Sequence, residues 1–283
     1  MNAMSFSEMG LSALKRRQFD AAINMLRQAL GEDEDNLDAR FGLARALHEK
    51  GSITEALGEY RTVLQSDEGH EECLHHIARA LLQKGDARSA LNHVDIILRS
   101  KPTDAEFLTL RAQALMELDH AESALASLQT AAHHNPGSEK IHRLMAACYR
   151  INEDGEGERR AVEQLLRIDP TSMTAANDLA VIDLREGHPM TAFETFEKIL
   201  AQQPEHAQAT LNRAIALTVM GGMDHDAIWN RVMDVCAHID DLDDIRALAD
   251  TLAKLPDAKR KGSRPDSACR LGQSCLLKKQ MPV

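Results

Sequence analysis

Small residues recur in this chain every 34 positions: Gly10, Ala44, Ala78, Ala112, Ala146, Ala180 and Ala214 form one series with no insertion. A second series trails the first by twelve residues, as Ala22, Ala56, Ala90 and Ala124, then Glu158 as an exception, then Ala192. Pro102, Pro136, Pro170 and Pro204 mark the ends of successive units, with Glu34 and Glu68 at that phase in the two earlier copies. Two helices cross closely only where neither presents a bulky side chain, because the axial separation depends on the residues at the contact. A period of 34 with paired small residues is therefore the pattern of a helix–turn–helix repeat.

The segment between the small residues agrees. Phe19, Ala22, Ile23, Leu26 and Leu30 recur at three- and four-residue steps, and Ile53, Ala56, Leu57, Tyr60 and Leu64 repeat the stripe one unit later. Such a stripe marks one apolar face of a helix. Gly51, Gly85, Gly187 and Gly221 fall at one phase between the two helices of a unit. Glycine there permits the left-handed backbone that ends a helix. The proline at the end of a unit stops the second helix and starts the next.

On these residues the chain resembles the tetratricopeptide repeat (TPR) family. The family's pattern has Gly or Ala at the eighth position of a unit, Ala at the twentieth and Pro at the thirty-second. Units fall at 3–36, 37–70, 71–104, 105–138, 139–172 and 173–206, with a partial seventh from 207, so the array covers 1–223. The resemblance implies an all-α fold, a right-handed superhelical solenoid of stacked antiparallel helix pairs. The related pentatricopeptide family, which binds RNA, has a 35-residue period and a basic groove. The strict 34-residue step and the net charge of −11 argue against it, and no nucleic acid is expected.

Beyond the array, 224–255 reads as a degenerate second helix and a C-terminal capping helix, with Trp229, Val232, Met233 and Cys236 on one face. Terminal repeats need such a cover, because the last apolar face has no neighbour. Residues 256–283 form a basic segment rich in Pro, Gly and Ser, expected to be disordered. It serves as a solvated tail, or it touches an acidic partner, an anionic surface or the acidic outer face of the array itself.

The five cysteines, Cys73, Cys148, Cys236, Cys269 and Cys275, are scattered and odd in number. That composition suits reduced thiols and a cytoplasmic location. The N-terminal segment lacks the charged start and apolar core of a secretory signal. The apolar stretch near 214–223 is too short to span a bilayer.

Unit five departs from the pattern. INEDGEGERR (151–160) replaces the usual turn and puts Glu158 where a small residue belongs. Either its second helix starts late, or the array has a soft point there. In both cases this unit is expected to be spread, so that enlarging Glu158 costs less than enlarging Ala90 or Ala124.

The resemblance implies binding through the concave face lined by the first helix of each unit. Carried over position by position, that groove takes in Phe41, Arg45 and His48 of unit two, and His75, Arg79 and Leu82 of unit three. It continues with Gln113 and Met116 of unit four, Lys140, Arg143 and Arg150 of unit five, and Asn177, Leu184 and Arg185 of unit six. Guanidinium forks pair bidentately with carboxylates. An extended segment with Asp or Glu and a few apolar anchors is the ligand this strip suits. The opposing reading is that the arginines pair with Glu49, Glu72, Glu106 and Glu117 of the same strip. The carboxylate clamp of the chaperone-tail-binding members is absent as a pattern: Lys140 and Asn212 match single positions only.

Catalysis finds no motif. The adjacent pairs His75–His76 and His133–His134 are expected to point to different sides of a helix. Cys73 and His76 can share a face, but two ligands make no zinc site. No phosphate loop, GxSxG or HExxH is present. No cofactor and no metal are expected, and the chain reads as a non-catalytic interaction scaffold or adaptor with a protein or peptide partner. A regulatory or substrate-recruiting subunit of an enzyme complex is the alternative. Self-association by end-to-end stacking is a third reading.

Overall fold

The computed structural model describes residues 5–204 and 206–220. The expectations for 224–255, for the tail 256–283 and for Gly221 lie outside the described residues. Every described element is an α-helix. The first helices of the units are α1 (Phe6–Lys15), α3 (Leu37–Glu49), α5 (Glu71–Gln83), α7 (Ala105–Glu117), α9 (Glu139–Ile151), α11 (Met173–Arg185) and α13 (Ala207–Met220). The second helices are α2 (Phe19–Glu32), α4 (Ile53–Ser66), α6 (Ala87–Ser100), α8 (Ala121–His134), α10 (Gly155–Ile168) and α12 (Pro189–Gln202). From α3 onward the starts of both sets keep the 34-residue step of the sequence.

The same step governs the ends. Asn36, His70, Asp104 and Ser172 each accept, through a side-chain atom, a hydrogen bond from a backbone N–H in the first turn of the following helix. His206 does the same for Ala209 N–H at 3.1 Å. These caps satisfy donors that a helix start otherwise leaves unpaired. At the turn inside each hairpin one residue takes positive φ: Arg17, Gly51, Gly85, Asp119, Glu153 and Gly187, each 34 after the last. The sequence pattern predicts glycine at this phase, and in three hairpins another residue carries the left-handed backbone instead.

The small-residue series lies at the helix crossings. Ala44, Ala78, Ala112 and Ala180 of the first series and Ala22, Ala56, Ala90, Ala124 and Ala192 of the second are fully buried. Around Gly10 there is no room even for a methyl group, since a Cβ there would meet Leu26 Cγ at 2.5 Å.

The chain divides into two compact units at Asp154/Gly155. In the first, each helix packs on the next from α1 to α9, and the first helices also touch one another in the pairs α1–α3, α3–α5, α5–α7 and α7–α9. Its core contains Leu26, Leu57, Tyr60, Ile77 and Leu81, continuing through Leu74, Val94 and Phe107 to Leu128 and Ile141. In the second, α10 to α13 pack in sequence around Leu184, Phe196, Ile199 and Ile215.

Unit five corrects the expectation of a late helix. α10 begins at Gly155, in phase with every other second helix. Glu158 occupies the small-residue position at 1% exposure, held there by a pairing with Arg185 of the next helix.

Candidate functional site

In the first compact unit, α3, α4 and α5 bring a set of rings together. Phe41 packs on His70 at 4.9 Å between centroids, on His76 at 5.7 Å and on Tyr60 at 6.1 Å. Tyr60 and His76 lie nearly parallel, 9° apart. The Tyr60 hydroxyl donates to His48 Nδ1 at 3.4 Å, and His48 Nε2–H donates to Gln83 Oε1 at 2.9 Å. That chain of bonds requires a neutral His48. Burial lowers its pKa, and the bond to Gln83 opposes the shift. Burial, with Arg45, His75 and Arg79 nearby, holds His76 down to about 3. His48 and His76 are thus uncharged at neutral pH.

Adjacency in sequence predicts different sides of the helix for His75 and His76. Instead their rings meet edge to face at 5.5 Å, because both find room where α5 packs against the first helices before and after it. His75 donates to Glu106 Oε1 at 2.7 Å and stacks edge-on against Phe107. His133 and His134 likewise meet, at 5.2 Å.

Three cations border this layer. The Arg45 guanidinium sits 5.6 Å from the centre of the Phe41 ring. Arg79 is exposed and lies four residues beyond His75, on the same side of α5. Lys140 is exposed at the start of α9, and burial and then Arg79 lower the pKa of its amine. None of the ion pairs among the described residues includes Arg45, Arg79 or Lys140. Glu106 is engaged by His75. Three arginines of this unit on or beside the first helices are partnered, Arg40 by Glu59 and Arg111 by Asp95, each at 3.0 Å, and Arg143 by Glu139 one turn back.

The second compact unit is closed by its own side chains. Arg185 donates to Glu158 Oε2 at 2.5 Å, with the two side chains 19% and 2% exposed. Arg159 donates to Asp183 at 2.6 Å and to Glu186 at 2.7 Å, and those bonds raise its pKa, Glu186 foremost. Asn212 Nδ2 donates to Asn177 Oδ1 at 3.1 Å in a buried contact. Asp183, Glu186 and His188 approach one another within 4.8 Å, but Arg159 already takes both carboxylates.

The other sequence-derived positions divide by burial. Leu82, Gln113 and Met116 are half-buried, and Arg150 is exposed. Phe41, His48, Asn177 and Leu184 are buried at 7%, 5%, 3% and 0% exposure. They belong to the packed interior rather than to a surface, because their phase also faces the neighbouring first helix. His76 and Tyr60, which complete the ring layer, lie off the expected strip. The signal for them is the aromatic and histidine content of units two and three.

Thirteen described helices, arranged as hairpins repeating every 34 residues, define an all-α helical-repeat solenoid. Residues 7–71 and 47–114 match two family profiles, each described as Tetratricopeptide repeat. The chain is a tetratricopeptide repeat protein. Among solved structures it is similar to a tetratricopeptide repeat protein from Parabacteroides merdae, at 16% identity over 97% of this chain and 100% of that one, with a TM-score of 0.65. MamA from Desulfovibrio magneticus is 20% identical over 61% of this chain and 97% of its own, with a TM-score of 0.56. A further MamA structure matches 59% of this chain and 97% of its own at 20% identity, with a TM-score of 0.54. These likenesses establish the fold. No curated protein matches the sequence. No helix among the described residues is long and apolar enough to cross a membrane.

Proposed function

We propose that this protein is a non-catalytic scaffold that binds a protein segment in the concave groove of its repeat array, through the first compact unit. Repeats of this fold typically act as non-catalytic protein-interaction modules. The observation that carries the reading is the trio Arg45, Arg79 and Lys140, which have no ion-pair partner among the described residues, whereas Arg40, Arg111 and Arg143 of the same unit each have one. Charge left unpaired beside a layer of packed rings favours an extended segment bearing Asp or Glu, with Leu82 and Met116 as apolar contacts. The second unit, whose Arg185 is paired with Glu158 and whose Asn177 is bonded to Asn212, takes a smaller part. Cys73 and Cys148 are buried thiols pushed up to about 12 and about 11 by burial, which suits inert, reduced cysteines and a cytoplasmic setting.

Selection from a displayed library of random peptides tests this reading. Wild-type protein should enrich acidic segments, and R45E/R79E should not. Against a selected peptide, Arg79→Glu should weaken binding by about 2 kcal/mol, since it removes an attraction and adds a repulsion. High salt should reproduce part of that loss. Enrichment of the same peptides by both proteins would place recognition elsewhere.

A further inference from the structure

Arg45 and Arg79 occupy the same phase of α3 and α5, first helices that pack on each other. Such axes lie about 8–10 Å apart, so two guanidinium forks at one phase can close on a single group. The intervening surface is the ring layer: Arg45 over Phe41, Phe41 5.7 Å from His76, and His76 5.5 Å from His75. Lys140 lies on α9, two first helices beyond Arg79, and its pKa is lowered by burial and then by Arg79. Two carboxylates share the neighbourhood. Glu106 is bonded to His75, and Glu49, exposed at the end of α3, is not ion-paired to any of the three cations.

The stoichiometry of donors matters here. Each guanidinium offers five N–H groups in a planar fork, and an ammonium offers three. A carboxylate brings one charge and two oxygens, too few for two guanidinium forks that reach the same point. A phosphomonoester brings close to two charges and three acceptor oxygens. We infer that the residue recognised at this point is a phosphorylated side chain, phosphoserine or phosphothreonine, carried on the bound protein segment. This rests on the reading of the first unit's strip as the binding groove and adds the identity of its central contact. A single dense anion also suits an array whose net charge repels uniformly acidic partners.

The test uses the full chain and three versions of one Gly/Ala host peptide of about nine residues, enough at about 3.3 Å per residue to span neighbouring first helices. The versions carry phosphoserine, Glu or Ser at the centre. Affinity is measured by calorimetry at fixed ionic strength. Phosphoserine should bind about tenfold more tightly than Glu, as expected for bidentate charge-assisted pairing, and Ser should show no saturable binding. R45Q and R79Q should each remove about tenfold from the phosphoserine affinity. R27Q, which alters an arginine of α2 already paired to Glu55, should leave it unchanged. Circular dichroism of each variant guards against unfolding. Equal affinities for phosphoserine and Glu, no binding of the phosphopeptide, or an equal loss in R27Q would overturn the inference. Continued selection of acidic peptides by the wild type but not by R45E/R79E would then leave the scaffold reading standing by itself.

Discussion

Glu158 is joined to Arg185 by a 2.5 Å hydrogen bond between α10 and α11, with the carboxylate almost wholly out of water. The position is one that alanine fills in the other hairpins, so a charged side chain lies at a helix crossing. It is tolerated because the guanidinium reaches it from the end of the next helix. Breaking a buried pair leaves one charge uncompensated and costs about 3–5 kcal/mol. Glu158→Leu should destabilise the second unit by about 3 kcal/mol, the partial exposure of Arg185 keeping it at the low end. Restoring an apolar pair as E158L/R185M should return most of that loss. Urea unfolding of the three variants checks both steps. A single-variant loss below about 1 kcal/mol would assign the pair the weight of a surface ion pair.

Half of the hairpin turns carry a side chain in left-handed backbone. Asp119 has φ of 61° and Glu153 has φ of 58°, where Gly51, Gly85 and Gly187 stand in sister hairpins. A non-glycine residue there costs about 1–2 kcal/mol relative to the right-handed region, and glycine loses part of that advantage through its freer unfolded chain. Asp119→Gly and Glu153→Gly should each stabilise by about 0.5–1 kcal/mol. Thermal unfolding reads the effect, and a fall in midpoint for both would show that the turn is held by side-chain contacts. Arg17 is a poorer test, because its guanidinium also sits 5.9 Å from the Phe19 ring.

The period, the helix bounds and the crossings are legible in the sequence because each repeats at one phase. What breaks the phase is harder to read. Glu158 has the look of a defect, since its partner Arg185 lies 27 residues on and meets it only once α10 and α11 pack. Arg143 falls on the groove strip, although Glu139 stands one turn away, at the spacing that pairs charges on a helix. The strip carried over from the family mixes lining with interior. His48 and Asn177 are at strip positions, yet each bonds to a residue 35 positions later on the next first helix. Such bonds depend on how first helices lean on each other, which no single repeat encodes.

Glycines separate by the space around them. Gly10 faces Leu26 so closely that a Cβ would overlap it, and Gly10→Ala should cost about 1–3 kcal/mol by overpacking. Ala90→Leu and Ala124→Leu, both at fully buried crossings, should cost a similar amount. Gly58 is inside α4, with nothing within 4 Å of the point an alanine methyl would occupy. There Gly58→Ala should gain about 1 kcal/mol from helix propensity. Opposite signs for Gly10 and Gly58 in chemical unfolding would support the packing argument, and equal losses would contradict it.

The ring layer makes the first unit sensitive to acid. His48, His75, His76 and His93 all have pKa values lowered by burial, His76 the furthest, to about 3 from an ordinary 6.5. A lowered pKa means that the unfolded chain takes up protons first as pH falls. The stability these histidines contribute is complete above about pH 6.5 and declines as pH drops from there toward the folded value. The midpoint of urea unfolding should therefore fall between about pH 7.5 and about pH 4.5, before most carboxylates titrate. His76→Phe keeps a ring against Tyr60 and removes the titrating group, so its stability should depend less steeply on pH over that window. Matching slopes for the wild type and His76→Phe would assign the acid sensitivity to the other three histidines. A wild-type midpoint unchanged down to about pH 4.5 would show that none of the four is held neutral by the fold.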